Sequence, residues 1–271
     1  MVCAICIASW ACRIEEQPPA THPVILFGVD GADWKVIEWL WEQDRLPNIT
    51  ALSQRGTAVP LHTFHHASPV IWTTVATGVM PDVHGITEFV VPTVKGDQPV
   101  SSTLRRVPAL WNMLTAADQR VAVTGWWATW PAEEVNGVVI SDRAVHGIED
   151  SVWPPAYLPT FDAALAAQRA EEEGVEPSTM LEADRIITRS AVELVGEDYD
   201  LTLVYVRGVD ISCHFNWKYF EPDNFPGIDP ETLAEKRELI AREYEFVDRK
   251  LGDLVAAAGP GTNIVVMSDH G

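Results

Sequence analysis

Three apolar runs of strand length in this chain lead into acidic residues. Residues 23–29 read Pro-Val-Ile-Leu-Phe-Gly-Val and run into Asp30-Gly31. Residues 200–206 read Asp-Leu-Thr-Leu-Val-Tyr-Val and are followed by Arg207-Gly208-Val209-Asp210. Residues 262–267 read Thr-Asn-Ile-Val-Val-Met and run into Ser268-Asp269-His270-Gly271. Apolar runs without alternation belong to strands buried on both faces of a parallel sheet. Such sheets bind their ligands beyond the carboxyl ends of the strands. A single acid at such an end is ordinary turn chemistry, and Asp30 alone reads equally well as the cap of the next helix. Three are harder to explain that way, because one sheet edge would gather three carboxylates at a large repulsive cost unless cations lie between them. The fold class is therefore α/β, a mostly parallel central sheet flanked by helices.

A hydroxyl nucleophile fits the same edge. In Ser68-Pro69-Val70-Ile71-Trp72-Thr73-Thr74 the serine is a good N-cap, and the proline has the preset φ of a first helical position. The unpaired N–H groups of that turn and the positive end of the helix would hold an anion beside Ser68 Oγ. Asp210 and His214, at i and i+4, fall on one side of a helical turn and can reach one ion. His62, His65 and His66 precede the serine and are either ligands, substrate contacts or solvated loop residues; His84 reads as a structural hydrogen-bonding residue.

The remaining pattern supplies helices at 33–43, 47–56, 108–117, 161–173, 178–195 and 230–258, and strands at 57–62 and 120–124. Between residues 87 and 197 the strand-then-acid rhythm lapses, so this stretch is expected to be an inserted, cap-like region beside the sheet. The tryptophan-rich run 126–131 lies within it and either shapes the pocket or packs in the core.

At 271 residues and 47% hydrophobic content, the chain can bury a full core. Its net charge of −20 excludes a nucleic-acid polymer as partner. A small phosphorylated substrate is compatible with that charge if cations reverse the local field. Residues 2–11 are apolar but too short to span a bilayer, and with Cys12 they look like the tail of a secretory or lipoprotein signal. Residues 1–21 are thus expected to be a signal or tether remnant, with a possible membrane anchor and an extracytoplasmic location. Cys3 and Cys6 have C-x-x-C spacing but lack a second pair, so zinc ligation there is not expected. Nothing in the sequence bears on oligomeric state.

On Asp30, Ser68 and Thr77-Gly78, Asp210-x-x-x-His214 and Asp269-His270-Gly271, the chain resembles the alkaline phosphatase superfamily. Within it, the resemblance is to the type I phosphodiesterase and nucleotide pyrophosphatase branch with its bacterial phosphohydrolase and phosphomutase relatives. It covers 24–86 and 201–271 well and the middle loosely. It implies an alkaline-phosphatase-like domain over 22–271 and two divalent cations, zinc by preference with manganese tolerated. Asp30, Ser68, Asp269 and His270 would hold one cation, Asp210 and His214 the other. Ser68 would be the catalytic nucleophile, forming a phospho-serine intermediate during hydrolysis of a phosphate mono- or diester. Thr73, Thr74 and Arg207 are expected to contact the substrate. A phosphomutase, or an inactive metal-binding fragment, is the alternative. In this family a further metal-binding histidine follows the Asp-His-Gly motif, so a C-terminally truncated member is expected. The asparagine that contacts phosphate in eukaryotic nucleotide pyrophosphatases aligns near Phe89, which points away from a nucleotide substrate.

Overall fold

The computed structural model describes residues 22–171 and 179–271. The tether expected at 1–21 and the Cys3/Cys6 pair lie outside the described residues. Among the described residues eight strands form, β1 Val24–Val29, β2 Val90–Val91, β3 Gln98–Pro99, β4 Val121–Thr124, β5 Gly137–Ile140, β6 Val152–Trp153, β7 Leu201–Val206 and β8 Asn263–Met267. Six of them make the central sheet, in the order β6-β5-β4-β7-β1-β8. All neighbours in it are parallel except β5 and β6. The three acid-tipped strands are therefore adjacent, with β1 between β7 and β8. Its register pairs Val29 with Val206 and Gly28 with Met267, which brings the three carboxyl ends level.

Among the described residues ten α-helices accompany the strands: α1 Trp34–Trp41, α2 Pro47–Arg55, α3 Ser68–Thr77, α4 Pro81–His84, α5 Leu110–Ala116, α6 Leu158–Glu171, α7 Thr179–Val195, α8 Gly208–Phe220, α9 Pro230–Lys236 and α10 Glu238–Ala257. The pleat sends alternate side chains to opposite faces. Phe27, Val29, Val204 and Val206 pack with α1, α6, α7, α8 and α10. Leu26, Leu203 and Tyr205 pack on the other face with Trp72 and Ala76 of α3, Trp111 of α5 and Trp126. Gly28 belongs to this second face. A Cβ there would lie 2.7 Å from the Trp72 ring, so the glycine lets α3 sit close on β1.

Three details differ from the sequence reading. Residues 57–62 form no strand; they run exposed over the surface, where Pro60 lacks a ladder donor and no strand pairs with them. The stretch 87–197 does not lie wholly beside the sheet: it contributes β4, β5 and β6 to it, and the β2–β3 ribbon is the part that pairs separately. Of these, β4 matches the strand expected at 120–124, although it ends in Thr124-Gly125 rather than an acid, whereas β5 and β6 are too short to show a pattern. Residues 230–258, read as one helix, divide at Arg237 into α9 and α10.

Candidate active site

Asp30 follows β1 directly, in a turn that Gly31 makes possible with φ +65°. A Cβ on Gly31 would come within 2.9 Å of Asp210, so the first β-strand turn and the start of α8 are in close approach. Asp210 lies in the first turn of α8, and His214 one turn later turns back, with Nε2 3.3 Å from Asp210 Oδ1. From the end of β8, His270 Nε2 reaches Asp30 Oδ1 at 3.2 Å, Asp210 Oδ1 at 3.7 Å and Asp269 Oδ2 at 3.8 Å. Ser68 Oγ donates to Asp30 Oδ1 at 3.2 Å. Asp30, Asp210 and His270 each offer a ligand atom within 4.8 Å of the others. Of the six residues expected to bind metal, Asp30, Asp210 and His270 converge, drawn from both expected sets, while Ser68, Asp269 and His214 adjoin them.

The electrostatics are those of crowded carboxylates. Burial works against the Asp30 charge, but hydrogen bonds from His270, Asp269 and Tyr205 outweigh it and hold its pKa below the ordinary value. Burial, and then the Asp30 charge, push Asp269 up to about 7. The hydrogen bond to Asp30, opposed by burial, raises His270 to about 9. Burial and then Asp30 also raise Asp210.

Matching on residues 24–271 is a family model described as Type I phosphodiesterase / nucleotide pyrophosphatase. The chain belongs to this family. No curated protein sequence matches it. Among solved structures it is similar to phosphonoacetate hydrolase from Sinorhizobium meliloti 1021, determined in complexes with phosphonoformate and with phosphonoacetate. In each case the TM-score is 0.58 at 19% identity, over 93% of this chain and 56% of the other. That likeness establishes the shared fold. The chain spans little more than half the length of this relative.

In this phosphodiesterase-family chain the cluster fits divalent cations by its own chemistry. Asp269 is 5% exposed and its Oδ2 has no hydrogen-bond partner among the described residues. A buried, unpaired carboxylate oxygen beside two further carboxylates is an arrangement that a cation stabilises. Mixed carboxylate and imidazole donors suit zinc, and manganese accepts the same set.

Ser68 is the first residue of α3 rather than its cap, which is Ala67. The reason is that Ala67 O already accepts from Val70 N and Ile71 N, at 3.0 and 3.3 Å. The serine hydroxyl, freed from capping, is available to Asp30. Pro69 has no N–H, so the Ser68 N–H is the one in this turn without a partner among the described residues. The anion cradle is correspondingly narrower than the sequence implies.

The other expected contacts do not join the cluster. Thr73 Oγ1 donates back to Pro69 O at 2.6 Å, and Thr74 Oγ1 pairs with His84 Nε2 at 2.9 Å. Arg207 lines a small cavity with Asp142, Asp184 and Tyr205 at the end of β7. His65 Nδ1 accepts from Ala67 N at 3.1 Å and stacks on His66, while His62 is exposed; none of the three is within the cluster of ligand atoms.

Sequence reasoning missed Tyr205 and its link to Trp127. Tyr205 OH donates to Asp30 Oδ2, and Trp127 Nε1 donates to Tyr205 OH at 2.6 Å. Tyr205 reads as one more apolar position of a buried strand, and only the register of β7 against β1 aims it at the Asp30 turn. It also missed Asp184 of α7, whose carboxylate accepts from the N–H groups of Arg207 and Gly208 at 3.0 and 2.5 Å and so ties down the start of α8.

Proposed function

We propose that this chain carries the catalytic site of a metal-dependent hydrolase of small phosphate esters, with Ser68 as the nucleophile. One observation carries the reading: the Ser68 hydroxyl, at the start of a helix, is hydrogen-bonded to the same Asp30 oxygen that faces His270. A nucleophile, a carboxylate that orients it and a cation site thereby converge at the carboxyl edge of the sheet. Membership of the phosphodiesterase family and the phosphorus-containing ligands of the S. meliloti relative support this chemistry and this size of substrate.

Asp30 Oδ1 holds Ser68 Oγ in position for attack on phosphorus. The Oγ–P bond forms as the ester oxygen leaves with its electron pair, and the hydroxyl proton is lost to solvent or to the leaving oxygen. Water then cleaves the phospho-serine, releasing phosphate and restoring the hydroxyl. The Ser68 N–H and the start of α3 favour the charge on the phosphoryl oxygens throughout. Asp30, Asp269 and His270 with Ser68 would hold one divalent cation, and Asp210 with His214 a second; when bound, they ease ionisation of the hydroxyl and neutralise charge on the ester oxygens. Zinc is the ion best matched to these donors.

The test is to incubate the zinc-loaded protein with an aryl phosphate ester, quench it in acid and map covalent phosphate by mass spectrometry. One phosphoryl group on the peptide containing Ser68, absent after chelation, is the expected result. Turnover with the phosphoryl group on a different residue, or with none, would overturn the serine mechanism.

A further inference from the structure

We propose that Tyr205, held by Trp127, is a positioning residue that fixes which oxygen of Asp30 faces the metal and nucleophile. This rests on the reading of Asp30 as a metal ligand and adds to it a supporting pair that the family resemblance did not identify.

The direction of each bond follows from what each atom can do. An indole Nε1 carries a hydrogen and has no acceptor capacity, so in the 2.6 Å contact Trp127 must donate and the Tyr205 oxygen must accept. Tyr205 then has one hydrogen left to give, and the acceptor in reach is Asp30 Oδ2. The other Asp30 oxygen, Oδ1, takes the Ser68 hydroxyl at 3.2 Å and faces His270 Nε2 at 3.2 Å. The carboxylate is thereby divided. Oδ2 is committed to the phenol, and Oδ1 is turned towards the reacting side.

The phenol is in turn held still. Tyr205 is 3% exposed and lies edge-on to Trp72 and Trp126, with ring centroids at 5.1 and 6.1 Å. Trp126 Nε1 donates to the Trp72 carbonyl at 3.1 Å. Trp72 is one turn beyond Ser68 on α3, so the residue that orients Asp30 packs against the helix that carries the nucleophile. A merely space-filling aromatic at position 205 would explain the ring contacts but would not require the hydroxyl. Partners of this kind orient a metal-binding carboxylate, and their loss typically weakens metal affinity by roughly 10- to 100-fold.

The experiment compares wild type, Tyr205→Phe and Trp127→Phe. Zinc affinity is read by competition with a chromophoric chelator, the ligand field by the visible spectrum after cobalt(II) substitution, and folding by thermal unfolding of the metal-free proteins. Expected for Tyr205→Phe is zinc binding weaker by roughly 10- to 100-fold, an altered cobalt spectrum and a metal-free protein that still unfolds cooperatively, with its midpoint lowered by the loss of the buried hydroxyl. Trp127→Phe, which keeps the phenol but removes its donor, should shift both metal readouts in the same direction by less. Tyr205→Phe with wild-type zinc affinity and cobalt spectrum would overturn the proposal. Should Tyr205→Phe not fold, unchanged metal readouts in Trp127→Phe would overturn it instead. If wild type itself binds no zinc, the failure lies in the metal-site reading on which the proposal rests.

Discussion

The two sides of the acidic and histidine cluster are built differently. Asp30 and Asp269 are 2% and 5% exposed, and Asp30 alone is engaged by Ser68, Tyr205 and His270. On the other side the His214 side chain is 73% exposed and its contact in the cluster is with Asp210, one turn away on the same helix. The buried side is preorganised by residues from β1, α3, β7 and β8, whereas the exposed side rests on one turn of α8. Fixed donors lose little entropy when an ion binds, and mobile ones lose more. On the metal-binding reading proposed above, the buried side should therefore hold an ion more tightly than the exposed one.

The largest effect should come from Ser68, which lies on the buried side and is the nucleophile of the proposed mechanism. Ser68→Ala is expected to lower kcat by several powers of ten, about 4 kcal/mol or more in transition-state terms, while zinc still binds. Steady-state rates with an aryl phosphate ester and parallel zinc titration check this. A variant keeping more than a tenth of the rate would place the nucleophile elsewhere.

Next comes metal binding itself. The buried side offers four donors and the exposed side two, fewer than the three protein ligands a catalytic zinc normally keeps. One tight and one weak zinc are therefore expected per chain. Asp269→Asn should weaken the tight ion by more than about 100-fold, because it removes a ligand rather than an outer partner. His214→Ala should leave the tight ion unchanged and abolish the weak one. Isothermal titration of both variants decides it; equal effects on one ion would erase the distinction between the sides.

Proton linkage should distinguish them further. His270, raised from 6.5 to about 9, gives the metal-free protein stability that is complete below pH 6.5 and is lost as pH rises through 9. Asp269, raised from 3.8 to about 7, acts in the same direction from pH 4 to 7. Asp30, held below its ordinary value, acts oppositely, but only as acid conditions protonate it. Zinc requires deprotonated ligands, so its affinity should climb between pH 6 and 9 as the metal-free protein weakens. Thermal unfolding with and without zinc across that range should show the zinc-induced gain increasing with pH; a gain independent of pH would mean that His270 is not a ligand.

The sequence exposed the charged edge of the sheet more clearly than the half that lacks it. β1, β7 and β8 announce themselves because an uninterrupted apolar run followed by an acid combines a burial signal with a ligand signal. β4 was legible as a strand at 120–124 but not as a member of this sheet, whereas β5 with four residues and β6 with two carry too little pattern to separate them from loops. The candidate ligands were legible because Asp and His carry their chemistry in their identity. Tyr205 was not, since a tyrosine in an apolar strand has no local mark of a carboxylate partner 175 positions away. The Ser68 cap was misread by one residue, because Ser-Pro opens a helix equally well with the serine just outside or just inside it.

The smallest expected effect tests whether Thr74 belongs to the active site or to the frame behind it. His84 is fully buried; its Nδ1 accepts from Ile86 N at 3.1 Å, so in the neutral ring Nε2 carries the hydrogen and donates to Thr74 Oγ1 at 2.9 Å. Burial lowers the pKa of His84, which keeps that ring neutral. Thr74→Val is nearly isosteric but removes that acceptor, leaving the His84 N–H to the Val70 backbone alone at a cost of about 0.5–1.5 kcal/mol. Thr74→Ser restores the hydroxyl and should recover most of that loss. A threonine that frames α3 against α4 predicts a lower unfolding midpoint for the valine variant, with KM for the aryl phosphate unchanged. A threonine that contacts substrate predicts the reverse, an unchanged midpoint and a raised KM. The hydrogen bonds of His84 favour the first outcome, and a raised KM at constant stability would return Thr74 to the substrate-binding set expected from the family resemblance.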